Sequence, residues 1–174
     1  MKKILTQSFL ILAFFTSNAQ QINFIEYDLE NGLHVILHQD NSAPVVSATL
    51  QYHVGSKDED DGLKGFAHLF EHMLGKETKN MDSGQWGKIY SARGGSGNAS
   101  TSVDLTNYYV TVPSNSLKLA LWRYSEIMLH PIIEQETIDI QREAVKEEKR
   151  LRYNQPYIPR FYDYLKRNFF KKHP

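Results

Sequence analysis

His68-Leu69-Phe70-Glu71-His72 sets two imidazoles four residues apart, with a carboxylate immediately before the second. On an α-helix that spacing stacks the two histidines one turn apart on a single face and leaves Glu71 beside them. The chemistry such a group can do is metal chemistry, a two-pronged nitrogen clamp with an acid-base group next to it. Catalytic zinc takes three protein ligands and keeps one position open. The rest of the chain must therefore supply a third.

The chain has no cysteine. That excludes thiolate ligands, a cysteine nucleophile, disulfides and a lipid-anchored amino-terminal cysteine, so the third ligand must bind through nitrogen or oxygen. Two adjacent candidates, Glu147 and Glu148, lie in a long helical stretch over 134–153. With Ile138, Ile140, Ala144, Val145 and Leu151 on a wheel at about 100° per residue, the apolar centre falls about 20° from Glu148 and about 80° from Glu147. Glu148 is the one aimed inward. A carboxylate in an apolar stripe is costly unless it meets a partner such as a cation. Gln141 lies on the same line, where its amide can hydrogen-bond a ligand or another buried polar group. His34, His38, His53, His130 and His173 have no partner at metal-ligand spacing and read as structural or surface residues.

The elements that must position these groups read as follows. Residues 1–19 carry a basic start, a short apolar run and a small-x-small end. They are expected to be a secretory signal cut after Ala19, too short to span a bilayer. The expected destination is secreted or periplasmic, with no membrane anchor expected in the mature chain. Stretches 22–29 and 33–38 flank Asn31-Gly32 and predict a hairpin. Val46, Ala48, Leu50, Tyr52 and Val54 alternate with polar neighbours, as a strand with one buried face does. An acidic loop over 56–62 leads into the clamp helix, expected over 63–73 with Gly75 capping its end. A second helix is expected over 83–93, strands over 98–103 and 106–112, and a helix to Leu129 capped by Ser114 or Asn115. Pro156 and Pro159 are expected to interrupt the long helix before a last piece to Phe170. Strands mixed irregularly with helices predict an α+β fold, a mainly antiparallel sheet with helices packed on one face.

Basic and acidic residues balance at 20 each, and no long run of one sign occurs, so nothing points to nucleic acid as a partner. Losing Lys2 and Lys3 with the signal leaves the mature chain at a net charge of −2. Gly94–Ser100 is not followed by the Gly-Lys-Ser/Thr of a phosphate loop.

Three separated segments resemble the pitrilysin/insulinase family of zinc peptidases, the inverzincins related to the mitochondrial processing peptidases. They are the His68–His72 motif, the run from Gly94 through Asn98-Ala99-Ser100-Thr101 to Asp104 with Tyr108-Tyr109, and the helix passage Arg142 to Glu148. The likeness runs from about Ile25 to the end of the chain. It implies one zinc ion held by His68, His72 and Glu148, with Glu71 as general base on the zinc-bound water of a peptide hydrolysis. It also implies that the strand around Asn98 and Ala99 binds an extended peptide as an added strand.

Two departures stand out. Gln141 occupies a position beside the metal ligands where the family usually has glutamate, so weaker zinc binding is expected. The family's chains also continue past a His-Pro like His173-Pro174. Residues 20–174 are therefore expected to be a catalytic domain incomplete at its carboxyl end, served by a missing carboxyl-terminal domain or a partner subunit. The alternative is a non-catalytic assembly subunit or inactive fragment. Such subunits usually lose a ligand or the base, and this chain keeps all four residues.

Overall fold

The computed structural model describes residues 22–155 and 157–169. The signal-peptide expectation lies outside the described residues, and no helix among them is long and apolar enough to cross a membrane. The described residues divide into two compact units, one up to residue 43 and one from residue 44 on.

The first unit is a hairpin of β1 (Phe24–Asp28) and β2 (His34–His38), paired antiparallel with Asp28 opposite His34. The expected Asn31-Gly32 turn closes it. Gly32 takes φ 83°, and the Asn31 side chain accepts from the Leu33 amide at 3.1 Å.

The second unit is built on three antiparallel strands in the order β3-β5-β4: β3 (Val45–Tyr52), β4 (Ser96–Thr101) and β5 (Thr106–Pro113). Alternation decides which face is covered. Thr106, Tyr108, Val110 and Val112 of β5 are buried while Tyr109 and Thr111 are exposed, and Leu50 of β3 is buried between exposed Thr49 and Gln51. The helices α1 (Phe66–Leu74), α2 (Gln85–Ala92) and α3 (Leu117–Leu129) pack on this sheet, and α4 (Gln135–Asn154) packs against α1. The expected α+β architecture with an antiparallel sheet is what forms. Its core joins Leu50, Trp86, Tyr90, Tyr108, Val110, Val112, Tyr124 and Ile127.

Several boundaries differ from expectation for identifiable reasons. The clamp helix starts at Phe66 because Gly65 sits at φ 95°, a left-handed conformation that no helix continues through. A 3-10 turn at Ser114–Ser116 precedes α3, and no side-chain cap closes on it. The last helix, α5 (Ile158–Phe169), takes Pro159 into its first turn, where a missing N–H has no intrahelical partner to lose. Ile140 and Leu151, placed in the apolar stripe of α4, are more than half exposed. The line that turns inward is set by Gln141, which is buried, and by half-buried Val145 and Glu148.

Candidate metal centre

α1 is a short apolar helix that begins with no Ser, Thr, Asp or Asn cap of its own. Its free amides are met from outside: the Glu59 carboxylate accepts from Gly65 N–H and from Ala67 N–H, each at 2.9 Å. A carboxylate here satisfies orphan donors and complements the positive end of the helix dipole. The acidic loop thus fixes the helix that carries the histidines. At the other face, the buried Tyr108 hydroxyl of β5 donates to the Glu71 carbonyl at 3.0 Å, tying α1 to the sheet.

On this helix His68 Nε2 and His72 Nε2 approach to 3.2 Å. Glu148 Oε2, on α4, lies 3.5 Å from each of them. These three residues are the group among those described whose nitrogen and carboxylate atoms converge as metal ligands do. Ligands at about 2.0–2.1 Å from a tetrahedral zinc stand roughly 3.3–3.4 Å apart, and the observed edges match. The donor set, two imidazoles and a carboxylate, is one that catalytic zinc uses, and it also accepts manganese or cobalt.

The groups around the triad orient it. Gln141 is buried, and its Oε1 lies 3.4 Å from His72 Nδ1. An acceptor there favours the tautomer with hydrogen on Nδ1, which leaves the Nε2 lone pair facing His68 and Glu148. Gln141 thus lies beside His72, without the negative charge a glutamate would add. The second oxygen of Glu148 accepts from Arg152 one turn on, while Glu147 points away and pairs with Arg150 at 2.7 Å.

Glu71 is 8% exposed, and its Oε2 accepts from Thr101 Oγ1 at 2.5 Å. Thr101 was not among the expected site residues, and neither were Glu59, Arg152 and Tyr108. Signals for some were there: an uncapped helix needs a distant cap, and a Glu four residues before an Arg pairs on a helix.

Asn98 and Ala99 lie on β4, an end strand that among the described residues pairs only with β5. Ser102 N–H bonds across the turn to the Leu105 carbonyl. By the two-residue period, the amides of Thr101, Ala99 and Gly97 face away from β5, towards the open edge. The Ala99 amide is met there by Asn98 Oδ1 at 2.9 Å. Of the other histidines, His34 pairs with Asp28, His38 with the Asn23 carbonyl and His130 with Glu126, while His173 lies outside the described residues.

Burial pushes several phenols near the site upward. Tyr90 rises to about 12, and Tyr108 and Tyr124 rise further, each chiefly because its charged form would lose hydration. All three stay neutral, and two act as hydrogen-bond struts; Tyr124 donates to the Ala48 carbonyl at 2.6 Å.

Comparison with known proteins finds matches in sequence and in fold. A family model described as Insulinase (Peptidase family M16) matches residues 34–174. A zinc protease of Helicobacter pylori, PqqE, is 33% identical over 147 residues, covering 84% of this chain and 33% of the relative. Human insulin-degrading enzyme is 34% identical over 122 residues, covering 70% of this chain and 12% of the enzyme. The crystal structure of a protease from Helicobacter pylori superposes with a TM-score of 0.72 at 33% identity, covering 76% of this chain and 32% of that one. The chain thus spans about a third of the length of one curated relative and about an eighth of the other.

Proposed function

The chain belongs to the insulinase family of peptidases, M16, and on that footing we propose that it is the zinc-binding, base-bearing part of a metalloendopeptidase. The observation that carries the reading is the convergence of His68 Nε2, His72 Nε2 and Glu148 Oε2 at tetrahedral ligand spacing, with Glu71 lining the same cavity as His72. In this reading His68, His72 and Glu148 hold one zinc ion. Bound there, zinc polarises a scissile carbonyl and brings the pKa of water towards neutrality.

The chain's own residues do the rest. Glu71 takes the proton of the attacking water and returns it to the leaving amine, the task of a positioned carboxylate. Thr101 holds one oxygen of that carboxylate, so the other is left for the proton. The peptide adds to the open edge of β4, where the main-chain groups of Gly97, Ala99 and Thr101 pair with it and tolerate many side chains. Its carbonyl replaces Asn98 Oδ1 at the Ala99 amide, which frees the Asn98 side chain to bond the substrate.

The opposite wall of the peptide site belongs, in this proposal, to further chain or to a partner subunit, because holding a substrate in register is a large share of any rate. A secreted or periplasmic location is part of the same proposal and rests on residues 1–19. The test is a zinc titration joined to a peptide-cleavage assay on this chain, alone and with the continuing domain or partner. Glu71→Gln should keep zinc and lose cleavage; cleavage at the parental rate would remove Glu71 from its role.

A further inference from the structure

A cavity of about 540 Å³ runs between α1, α2 and β4, and its walls include Glu71, His72, Ala99, Tyr108 and Arg123. Its charged lining is uneven. Glu71 is its one carboxylate among the described residues and is turned to Thr101, whereas Lys76 and Arg123 are cations.

Arg123, on α3, is the unusual member. Its guanidinium lies 5.0 Å from the Trp86 ring centre and 5.6 Å from that of Tyr90. Among the described residues, the ion pairs and hydrogen bonds include none that gives this guanidinium a carboxylate. Burial lowers its pKa, with only the neighbouring phenols opposing. A half-buried cation without an anion is costly. Stacking on aromatic rings offsets part of that and leaves the N–H edge open, the geometry that receives a carboxylate on two parallel bonds.

Gly75 keeps the space over that edge clear. Its backbone is ordinary right-handed helix, φ −82° and ψ −5°, so the conformation does not require glycine. A Cβ there would stand 3.6 Å from the Tyr108 ring and 3.8 Å from Arg123 Nη2, and any longer side chain would fill the opening.

An extended peptide on the edge of β4 sends alternate side chains to the face that carries Ala99 and Thr101, which is the face of this cavity. We propose that Arg123, with Gly75 as the opening, forms a subsite for an acidic side chain of the bound peptide, one position of which is thereby selected as Glu or Asp. The proposal rests on the peptide-binding reading of β4.

Cleavage-site profiling with an unbiased peptide library tests it. The parent should enrich Glu or Asp over Gln or Asn about tenfold at one fixed position relative to the cut, the discrimination a charged hydrogen bond supplies. Arg123→Gln should erase the enrichment, Arg123→Glu should turn it towards Lys and Arg at that same position, and Gly75→Leu should erase it with zinc content unchanged. No enrichment in the parent, or enrichment that survives in both Arg123→Gln and Gly75→Leu, overturns the proposal. Should the parent cut no peptide even with the continuing domain or partner subunit supplied, the peptidase reading fails separately. The subsite is then judged by the affinity of the zinc-loaded Glu71→Gln protein for labelled peptides that differ by one Glu→Gln exchange. Tenfold discrimination lost in Gly75→Leu supports it, and equal affinity or no binding overturns it.

Discussion

The Thr101 hydroxyl donates to the Glu71 carboxylate at 2.5 Å, joining the open strand of the sheet to the base on α1. The strand that would carry the substrate is therefore the strand that aims the base. Thr101→Val keeps the shape and removes the donor, so kcat should fall roughly tenfold with KM and zinc content little changed. Thr101→Ser should restore most of the rate. Steady-state kinetics beside metal analysis separates this from a loss of folding, which would lower all three together.

Gln141 offers His72 an amide oxygen at 3.4 Å, at the long end of hydrogen-bond range and without charge. Gln141→Glu should tighten zinc binding about tenfold, because a negative acceptor raises the basicity of the imidazole. The same variant should be less stable than the parent when zinc is stripped away, since a buried charge is then left without its cation. Gln141→Leu should weaken zinc by ~10- to 100-fold. Thermal melts with and without chelator, together with competition titrations, read all of these effects.

Glu59 caps α1 through Gly65 and Ala67 from outside the helix. Glu59→Ala should cost about 1–2 kcal/mol in denaturant unfolding, the usual worth of a lost cap. It should also weaken zinc binding, because the frayed turn is the one that leads into His68. Glu59→Gln keeps an acceptor and should cost less than Glu59→Ala.

Asn80, in the segment that follows α1, donates to Glu126 at 2.9 Å and holds its carboxyl below the usual range. A lowered folded pKa means that this contribution is present above the unfolded value near 4.5 and is lost as pH falls through the folded one. Glu126→Gln should therefore flatten the acid limb of the stability curve below that pH. Unfolding midpoints across a pH series check this.

What could be read from the residues alone depended on how local the signal was. The histidine pair was legible because one helical turn fixes both side chains, and Glu148 because the inward line of α4 favours it over Glu147. The stripe used to find that line was less sound, since Ile140 and Leu151 face outward. The alternating pattern of β3 was legible for the same local reason, whereas β5 was legible as a strand without its buried face being assigned. Thr101 on Glu71 and Glu59 on Gly65 and Ala67 were not, because each contact joins elements that the chain order does not bring together. Gly75 was expected to end α1 as glycine caps do. It does end the helix, but in a right-handed conformation, so its missing side chain matters for the cavity rather than for the turn. Arg123 carries no motif, and only the packing of Trp86 and Tyr90 around it marks it out.

Zinc titration of the parent beside Glu148→Ala tests the metal centre most directly, because Glu148 is the one ligand that depends on the tertiary meeting of α1 and α4. One zinc per parent chain is expected, with at least a hundredfold weaker binding in Glu148→Ala, about the loss that follows removal of one of three protein ligands. Equal zinc affinity in the two proteins would contradict that expectation.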